Sequence, residues 1–247
     1  MKRHTLIGIH PVESALSKSP QQVRLLVVAK ETRNARALDL EQQARQSGIR
    51  VERRPRVELD RQSDGQRHQD VMAEFEPDNI FAEKELDTIL ESMPEPRLVL
   101  VLDGVQDPHN LGACLRTADA AGVGLVILPK DGSAGLTPVA RRSAAGAAEV
   151  MPILLATNLA RVLRRLKEQG IWLAGTSDQA SQDIHQAPLD GPLALVMGSE
   201  GKGMRRLTTE LCDFLVRIPM QGTVSSLNVS VATGVCLFEI NRQRSKA

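Results

Sequence analysis

The sequence predicts an α/β protein of two units: a small α/β unit, then a larger one built on a parallel sheet with helices on both faces. Three observations carry this. From Arg97 onward, uninterrupted apolar runs recur at Leu98–Leu102, Leu125–Leu128, Ile171–Ala174, Leu193–Met197 and Phe214–Ile218, with helical patterns between several of them. Strands that do not alternate with polar residues are buried on both faces, as in a parallel sheet covered by helices. The length of 247 residues suits one medium domain plus one small one. Charge divides the chain in the same places. Residues 1–70 carry 14 Lys and Arg against 9 Asp and Glu, residues 71–96 carry 1 against 8, and residues 97–247 carry 16 against 13.

In the first block, Val12–Leu16 reads as helix and Val23–Ala29 as a buried strand. Asn34–Ser47 reads as a helix stopped by Gly48, and Ile49–Arg53 as a second short strand. Residues 62–70 are polar and turn-like, and Val71–Phe75 reads as a closing strand. The stretch 77–96 is proline-bearing and acidic, contains one short amphipathic piece at Leu86–Leu90, and is expected to be a linker between a unit at 1–76 and a unit at 97–247.

Composition narrows the function classes. A hydrophobic fraction of 42% supports a sizeable core, and a net charge of +1 does not by itself point to nucleic acid. Arginine dominates the first block, and its planar fork suits phosphate. Cys114, Cys212 and Cys236 are far apart with no C-x-x-C spacing, so no structural metal and no disulfide framework are expected, and a cytoplasmic location fits. The basic N-terminal start is followed by too short an apolar stretch for an export signal, and no run reaches the roughly 18 apolar residues of a membrane span.

Ligand sites in parallel sheets lie at the carboxyl ends of strands, and three unusual clusters follow predicted strands here. After Leu98–Leu102 comes Asp103 to Ala118, in which Asn110 is a candidate helix cap. The helix from Leu111 is nearly all small and apolar, which predicts burial, yet it holds Arg116. A buried guanidinium needs an anionic partner; the alternatives are that Arg116 reaches solvent or pairs with Asp119. After Leu193–Met197 comes Gly198-Ser199-Glu200-Gly201-Lys202-Gly203, whose glycines let backbone approach a ligand closely. It is neither a Walker A loop nor a Rossmann fingerprint. Glu200 is a candidate catalytic group, a holder of a neighbouring loop, or a solvated carboxylate. After Phe214–Ile218 comes Pro219 to Asn228, then a helix with inner face Val229, Ala232, Thr233, Cys236, Leu237 and Ile240. Ser225 or Ser226 is a candidate cap, and capping alone is the plainer reading of Ser226 and Asn228. The glycine loops and buried strands also admit a nicotinamide-dependent oxidoreductase, though the fingerprint after the first strand is missing.

The segments N-L-G-A-C-L-R (110–116), G-S-E-G-K-G (198–203) and I-P-M…S-S-L-N (218–228) resemble the three motifs of the SpoU/TrmH branch of the SPOUT RNA 2′-O-ribose methyltransferases. The resemblance runs over the whole chain. Ile7–Leu16 and Ser63-Asp64-Gly65…His68-Gln69 resemble the family's N-terminal RNA-binding domain, which is similar to ribosomal protein L30. It implies a C-terminal trefoil knot, a homodimer with the active site completed at the interface, and S-adenosylmethionine as methyl donor. Neither metal nor membrane is implied. The implied reaction is 2′-O-methylation of a guanosine ribose in 23S ribosomal RNA; the same chemistry on tRNA or another rRNA site, or a non-catalytic assembly factor, are the alternatives. Mapped by motif, Arg116, Asn110, Glu200, Ser226 and Asn228 are the catalytic candidates. Gly198, Ile218, Leu227, Met197, Gly201, Met220 and Thr176 are the cofactor-binding candidates. Asp70 stands where the family usually has glycine.

Overall fold

A computed structural model describes residues 4–76 and 78–245; Met1–Arg3, the basic start, and Pro77 of the expected linker lie outside the described residues. The chain divides into two compact units, one running up to Asn79 and including Ala145–Val150, the other formed by Ile80–Ala144 and the chain from Met151 onward.

The first unit contains β1 (His4–Ile7), α1 (Ile9–Lys18), β2 (Val23–Ala29), α2 (Ala35–Gln46), β3 (Val51–Arg54), α3 (Arg56–Gln62) and β4 (Val71–Phe75). The sheet order is β1-β4-β2-β3, with β4 antiparallel to both neighbours and β2 parallel to β3. The continuous apolar run of β2 has a simple cause. Leu26 and Val28 join the core under α1 and α2, while Leu25, Val27 and Ala29 pack with Leu59 on the opposite face. Asn34 caps α2 by accepting from the Arg36 N–H, and Gly48 ends it with φ +72°. Helix α3 escapes the sequence reading because Leu59 is its only buried residue, too little for a periodic signal.

Before β4, Gln69 and Asp70 both adopt left-handed backbone, with φ +51° and +67°. Asp70 therefore occupies a position that favours glycine, and local bonds hold it there. Its Oδ2 accepts from Thr32 Oγ1 (2.9 Å), and its N–H donates to His68 Nδ1 (3.0 Å).

The second unit contains β5 (Ile80–Ala82), α4 (Leu86–Ser92), β6 (Leu98–Asp103), α5 (Pro108–Ala120), β7 (Leu125–Pro129) and α6 (Pro138–Ser143). A short helix α7 (Ala147–Val150) belongs to the first unit, where it packs on α1. The second unit resumes with β8 (Ile153–Ala156), α8 (Leu159–Glu168), β9 (Trp172–Thr176), β10 (Gln182–Asp183), β11 (Leu193–Gly198), α9 (Arg206–Leu211), β12 (Phe214–Arg217) and α10 (Val229–Arg244). Its eight strands run in the order β10-β12-β9-β11-β6-β7-β8-β5, and every neighbouring pair is parallel. All carboxyl ends therefore share one edge, and the loops after β6, β9, β11 and β12 meet there.

Two boundaries differ from the sequence reading. The acidic stretch 77–96 is not all linker: β5 pairs with β8, and α4 buries Leu86, Ile89 and Leu90 in the main core. Its acids sit on the surface in ion pairs, Glu83 with Arg161 and Asp87 with Arg165 (2.9 Å). The short amphipathic piece Leu86–Leu90 is thus part of a packed helix and not of a linker. Residues 145–150, expected within the second unit, join the first through Asn79 Nδ2 donating to Ala148 O (3.0 Å) and Ser14 Oγ donating to Gly146 O (3.4 Å).

Candidate active site

The loop after β11 is a tight hairpin. Ser199 and Gly203 exchange main-chain hydrogen bonds (3.0 and 2.9 Å), which leaves Glu200, Gly201 and Lys202 at the tip. Gly201 and Gly203 have φ of +74° and +66°, so the turn needs their freedom. Gly198 is required for another reason: a Cβ there would lie 2.2 Å from Gly203 C and Met204 N, because the hairpin folds directly over it.

Glu200 reaches out of this hairpin to the two other motif segments. Its Oε1 accepts from Asn110 Nδ2 (3.1 Å) on α5, from Asn228 Nδ2 (2.7 Å), and from the Val229 N–H (3.3 Å) at the start of α10. Asn228 Nδ2 also donates to Asn110 Oδ1 (3.0 Å), closing a three-residue network. The first turn of α10 offers unpaired N–H groups and positive dipole character, a natural seat for a carboxylate.

Beside this network the carboxyl ends of β9, β11 and β12 enclose a cleft of about 670 Å³. Of the residues singled out in the sequence, Thr176, Met197, Gly198, Glu200, Gly201, Ile218, Met220, Ser226, Leu227 and Asn228 line it. Thr176 Oγ1 donates to Val196 O (3.2 Å), pinning the end of β9 to β11. Asn110 adjoins the cleft through Glu200 and Asn228 without lining it. The motif reading missed Ser177, Asp178 and Gln179, which follow β9 and border the cleft; their place after a parallel strand was the available signal.

Three expectations are corrected. Asn110 is not a cap, because α5 begins at Pro108, whose fixed φ and missing N–H suit the first helical position, and Asp107 caps it (2.9 Å to the His109 N–H). Asn110 is thereby released to face Glu200. Asn228, not Ser225 or Ser226, caps α10, accepting from the Ser230 N–H at 2.9 Å. Arg116 is not buried: it lies on the exposed face of α5, six residues past Asn110, with no hydrogen bond or ion pair among the described residues. Small and apolar residues bury only one side of this helix, at Leu111, Gly112, Cys114, Leu115 and Ala118, beside the buried Asn110.

The cysteines are unsuited to nucleophilic work. Burial pushes the Cys114 thiol up to about 11, and those of Cys212 and Cys236 up to about 12. No group of three or more His, Cys, Asp and Glu positioned to hold a metal ion occurs among the described residues, and no described helix is long and apolar enough to cross a membrane.

A parallel sheet whose strand-end loops join three motif segments beside one cleft defines a class that comparison with known proteins identifies. Residues 97–238 match the SpoU rRNA Methylase family, and residues 5–81 match the family described as RNA 2′-O ribose methyltransferase substrate binding. The chain belongs to the SpoU rRNA Methylase family. It is 54% identical over 240 residues to the 23S rRNA (guanosine-2′-O-)-methyltransferase RlmB of Haemophilus influenzae, a match that covers 97% of each chain. It is 52% identical over 239 residues to the protein of the same name from Pseudomonas putida, covering 97% of this chain and 96% of that one. Among solved structures, the SpoU methyltransferase AviRb from Streptomyces viridochromogenes, in complex with the cofactor AdoMet, matches with a TM-score of 0.80 and 26% identity, covering 99% of this chain and 92% of that chain.

Proposed function

We propose that this protein transfers a methyl group from S-adenosylmethionine to the ribose 2′-hydroxyl of a guanosine in 23S ribosomal RNA. The Asn110–Glu200–Asn228 network carries this reading, since it joins the three motif segments at the lip of one cleft. Relatives at 52–54% identity over nearly the whole chain bear the name of that activity.

The cleft suits the cofactor. Met197, Ile218, Met220 and Leu227 give it thioether and aliphatic walls, and the Glu200 and Asp178 carboxylates bring negative charge to it. When bound, S-adenosylmethionine supplies an electrophilic methyl group on a sulfonium. The chain's own task is to bring a poor nucleophile into line with that methyl. Glu200 accepts three N–H donors through one oxygen, so it acts as a carboxylate that fixes the hairpin against α5 and α10. Asn110 and Asn228 hold it there, and Ser226, like Asn228, lines the cleft. Arg116 presents to solvent a guanidinium with no partner among the described residues, and its fork grips an RNA phosphate through paired hydrogen bonds that orient the ribose.

A homodimer and a trefoil knot belong to the same proposal. On α10, Val231, Val235 and Phe238 form an exposed apolar stripe at helical spacing, with Phe238 55% exposed. This helix packs on α5, which bears Arg116, so a second copy seated there completes the site. The knot is supported by the crowding of the chain after β11 and β12 around one cleft before the final helix.

The first unit reads as an L30-like RNA-binding domain. Most of its described arginines are tied to carboxylates: Arg24 to Glu76, Arg36 to Glu13, Arg45 and Arg53 to Glu41, Arg50 and Arg54 to Glu52, and Arg56 to Asp70. Lys30, Arg33, Arg61 and Arg67 are exposed and make no side-chain hydrogen bond or ion pair among the described residues. Lys30 and Arg33 lie in the β2–α2 loop and Arg67 in the α3–β4 loop. These loops are stitched together by Thr32 to Asp70 (2.9 Å) and Asn34 Nδ2 to Gln69 O (3.3 Å). Unpaired cations on a rigid rim suit a phosphate backbone. The test is to incubate the purified protein with methyl-labelled S-adenosylmethionine and, in separate reactions, unmodified 23S rRNA and unmodified tRNA, then map 2′-O-methyl marks. One new mark on a guanosine is expected; label in tRNA only, or none, overturns the reading.

A further inference from the structure

Asp103 is the last residue of β6, and its side chain is fully buried at the carboxyl edge of the sheet. In the parallel ladder it stands across from Gly198, where the hairpin leaves β11. Its Oδ2 accepts from the Arg205 N–H at 2.9 Å, where the hairpin ends and α9 begins. One residue therefore holds both ends of the segment that carries Glu200, the first end by strand register and the second by its carboxylate.

The remaining oxygen of this carboxylate, Oδ1, has no hydrogen-bond partner among the described residues, and Arg205 Nε lies 3.4 Å from it. A buried carboxylate is expensive unless paired, and Arg205 is placed to offset it. The guanidinium also donates to Asp131 O (3.5 Å) in the loop after β7, and a Cβ on Gly132 would come within 2.9 Å of it. Arg205 thus closes over Asp103 and ties together the loops after β6, β7 and β11. The same β6 loop leads into α5, which carries Asn110.

We infer that Asp103 is a positioning residue: with Arg205 it sets the hairpin so that Glu200 reaches Asn110 and Asn228, and so shapes the cofactor cleft. The inference rests on the cleft being the cofactor site, but one readout below is independent of that reading.

The experiment uses the full-length protein with Asp103→Ala, Asp103→Asn and Arg205→Ala. Calorimetry gives the Kd for S-adenosylmethionine, and amide hydrogen exchange without cofactor reports on residues 199–204. Asp103→Ala is expected to weaken cofactor binding tenfold or more and to speed exchange in the hairpin, with β6 and β7 still protected. Asp103→Asn keeps an oxygen for the Arg205 N–H and is expected to recover most of that loss. Arg205→Ala, at a half-exposed position that tolerates truncation, is expected to weaken binding about threefold and to loosen the same amides. Unchanged exchange in the hairpin of Arg205→Ala, or wild-type affinity in Asp103→Ala, overturns the inference. So does loss of protection across the whole sheet, which marks general destabilisation. If the parent protein gives no binding heat, the cofactor reading fails, while the exchange result still decides the role of Asp103.

Discussion

Arg116 shows how a residue's role depends on which side of a helix it occupies. The apolar helix around it pointed to a buried charge, but the structure places Arg116 on an exposed face with no partner among the described residues. Its stability cost is therefore small, and its value lies in what it can grip. Arg116→Lys keeps the charge and loses the fork, so kcat/KM for RNA should fall at least tenfold while the Kd for S-adenosylmethionine stays within twofold. Near-wild-type turnover would reject the paired grip on phosphate. Glu239, in contrast, serves structure. Arg242 above all, with Gln243 and His185, holds its carboxyl down to about 2. A pKa lowered on folding adds stability that is complete above the unfolded value of about 4.3 and disappears as pH falls through the folded one. Glu239→Gln should therefore cost most at neutral pH. Urea unfolding from pH 7 downward should show the gap to the parent narrowing below about pH 4.5, and a gap constant over that range would contradict this assignment.

At the scale of elements, the placement of α5 decides whether Asn110 meets its partners. The helix is drawn close to α6 at Gly112, where a Cβ would fall 2.3 Å from Ala140 O and 2.4 Å from Ser143 Cβ. Gly112→Ala should thus push the two helices apart and destabilise the protein by about 1–3 kcal/mol, despite the better helix propensity of alanine. That is a fall of about 2–4 °C in Tm per kcal/mol for a chain of this size. A variant as stable as the parent would show that α6 yields freely. The strands β2, β6, β7, β9 and β11 were legible because burial on both faces writes itself as an unbroken apolar run; β12 shows such a run, Phe214–Ile218, although only Val216 of the strand is buried. The edge strands β5 and β10 and the helix α3 bury too little to leave such a trace. The amphipathic piece Leu86–Leu90 was visible, but the prolines and acids around it read as a linker, whereas α4 packs in the core and Asp87 pairs with Arg165 of α8.

For the molecule as a whole, binding to RNA is expected to rest on phosphate contacts more than on stacking, since the chain has four Phe, one Trp and no Tyr. Affinity for an rRNA fragment should fall steeply with salt, linearly in logarithmic terms. Replacing Arg33 and Arg67 together by alanine should flatten that slope by roughly two counterions, if each touches a phosphate. An unchanged slope would remove the first-unit rim from the interface, leaving the methyl-transfer chemistry untouched.

By itself the sequence determined the class of each unit, most of the buried strands (β8 at Ile153–Ala156 was not read) and the three motif segments, because period, burial and glycine spacing are local properties of the chain. What it left open were relations among distant residues. Three polar side chains from positions 110, 200 and 228 form one network only because a parallel sheet brings all its carboxyl ends to one edge. The exposure of Arg116, the cap at Asn228 and the burial of Asp103 beneath Arg205 were set by packing of helices and loops far apart in the chain. Those are tertiary facts, since whether a side chain meets water or protein depends on neighbours that its own segment does not encode.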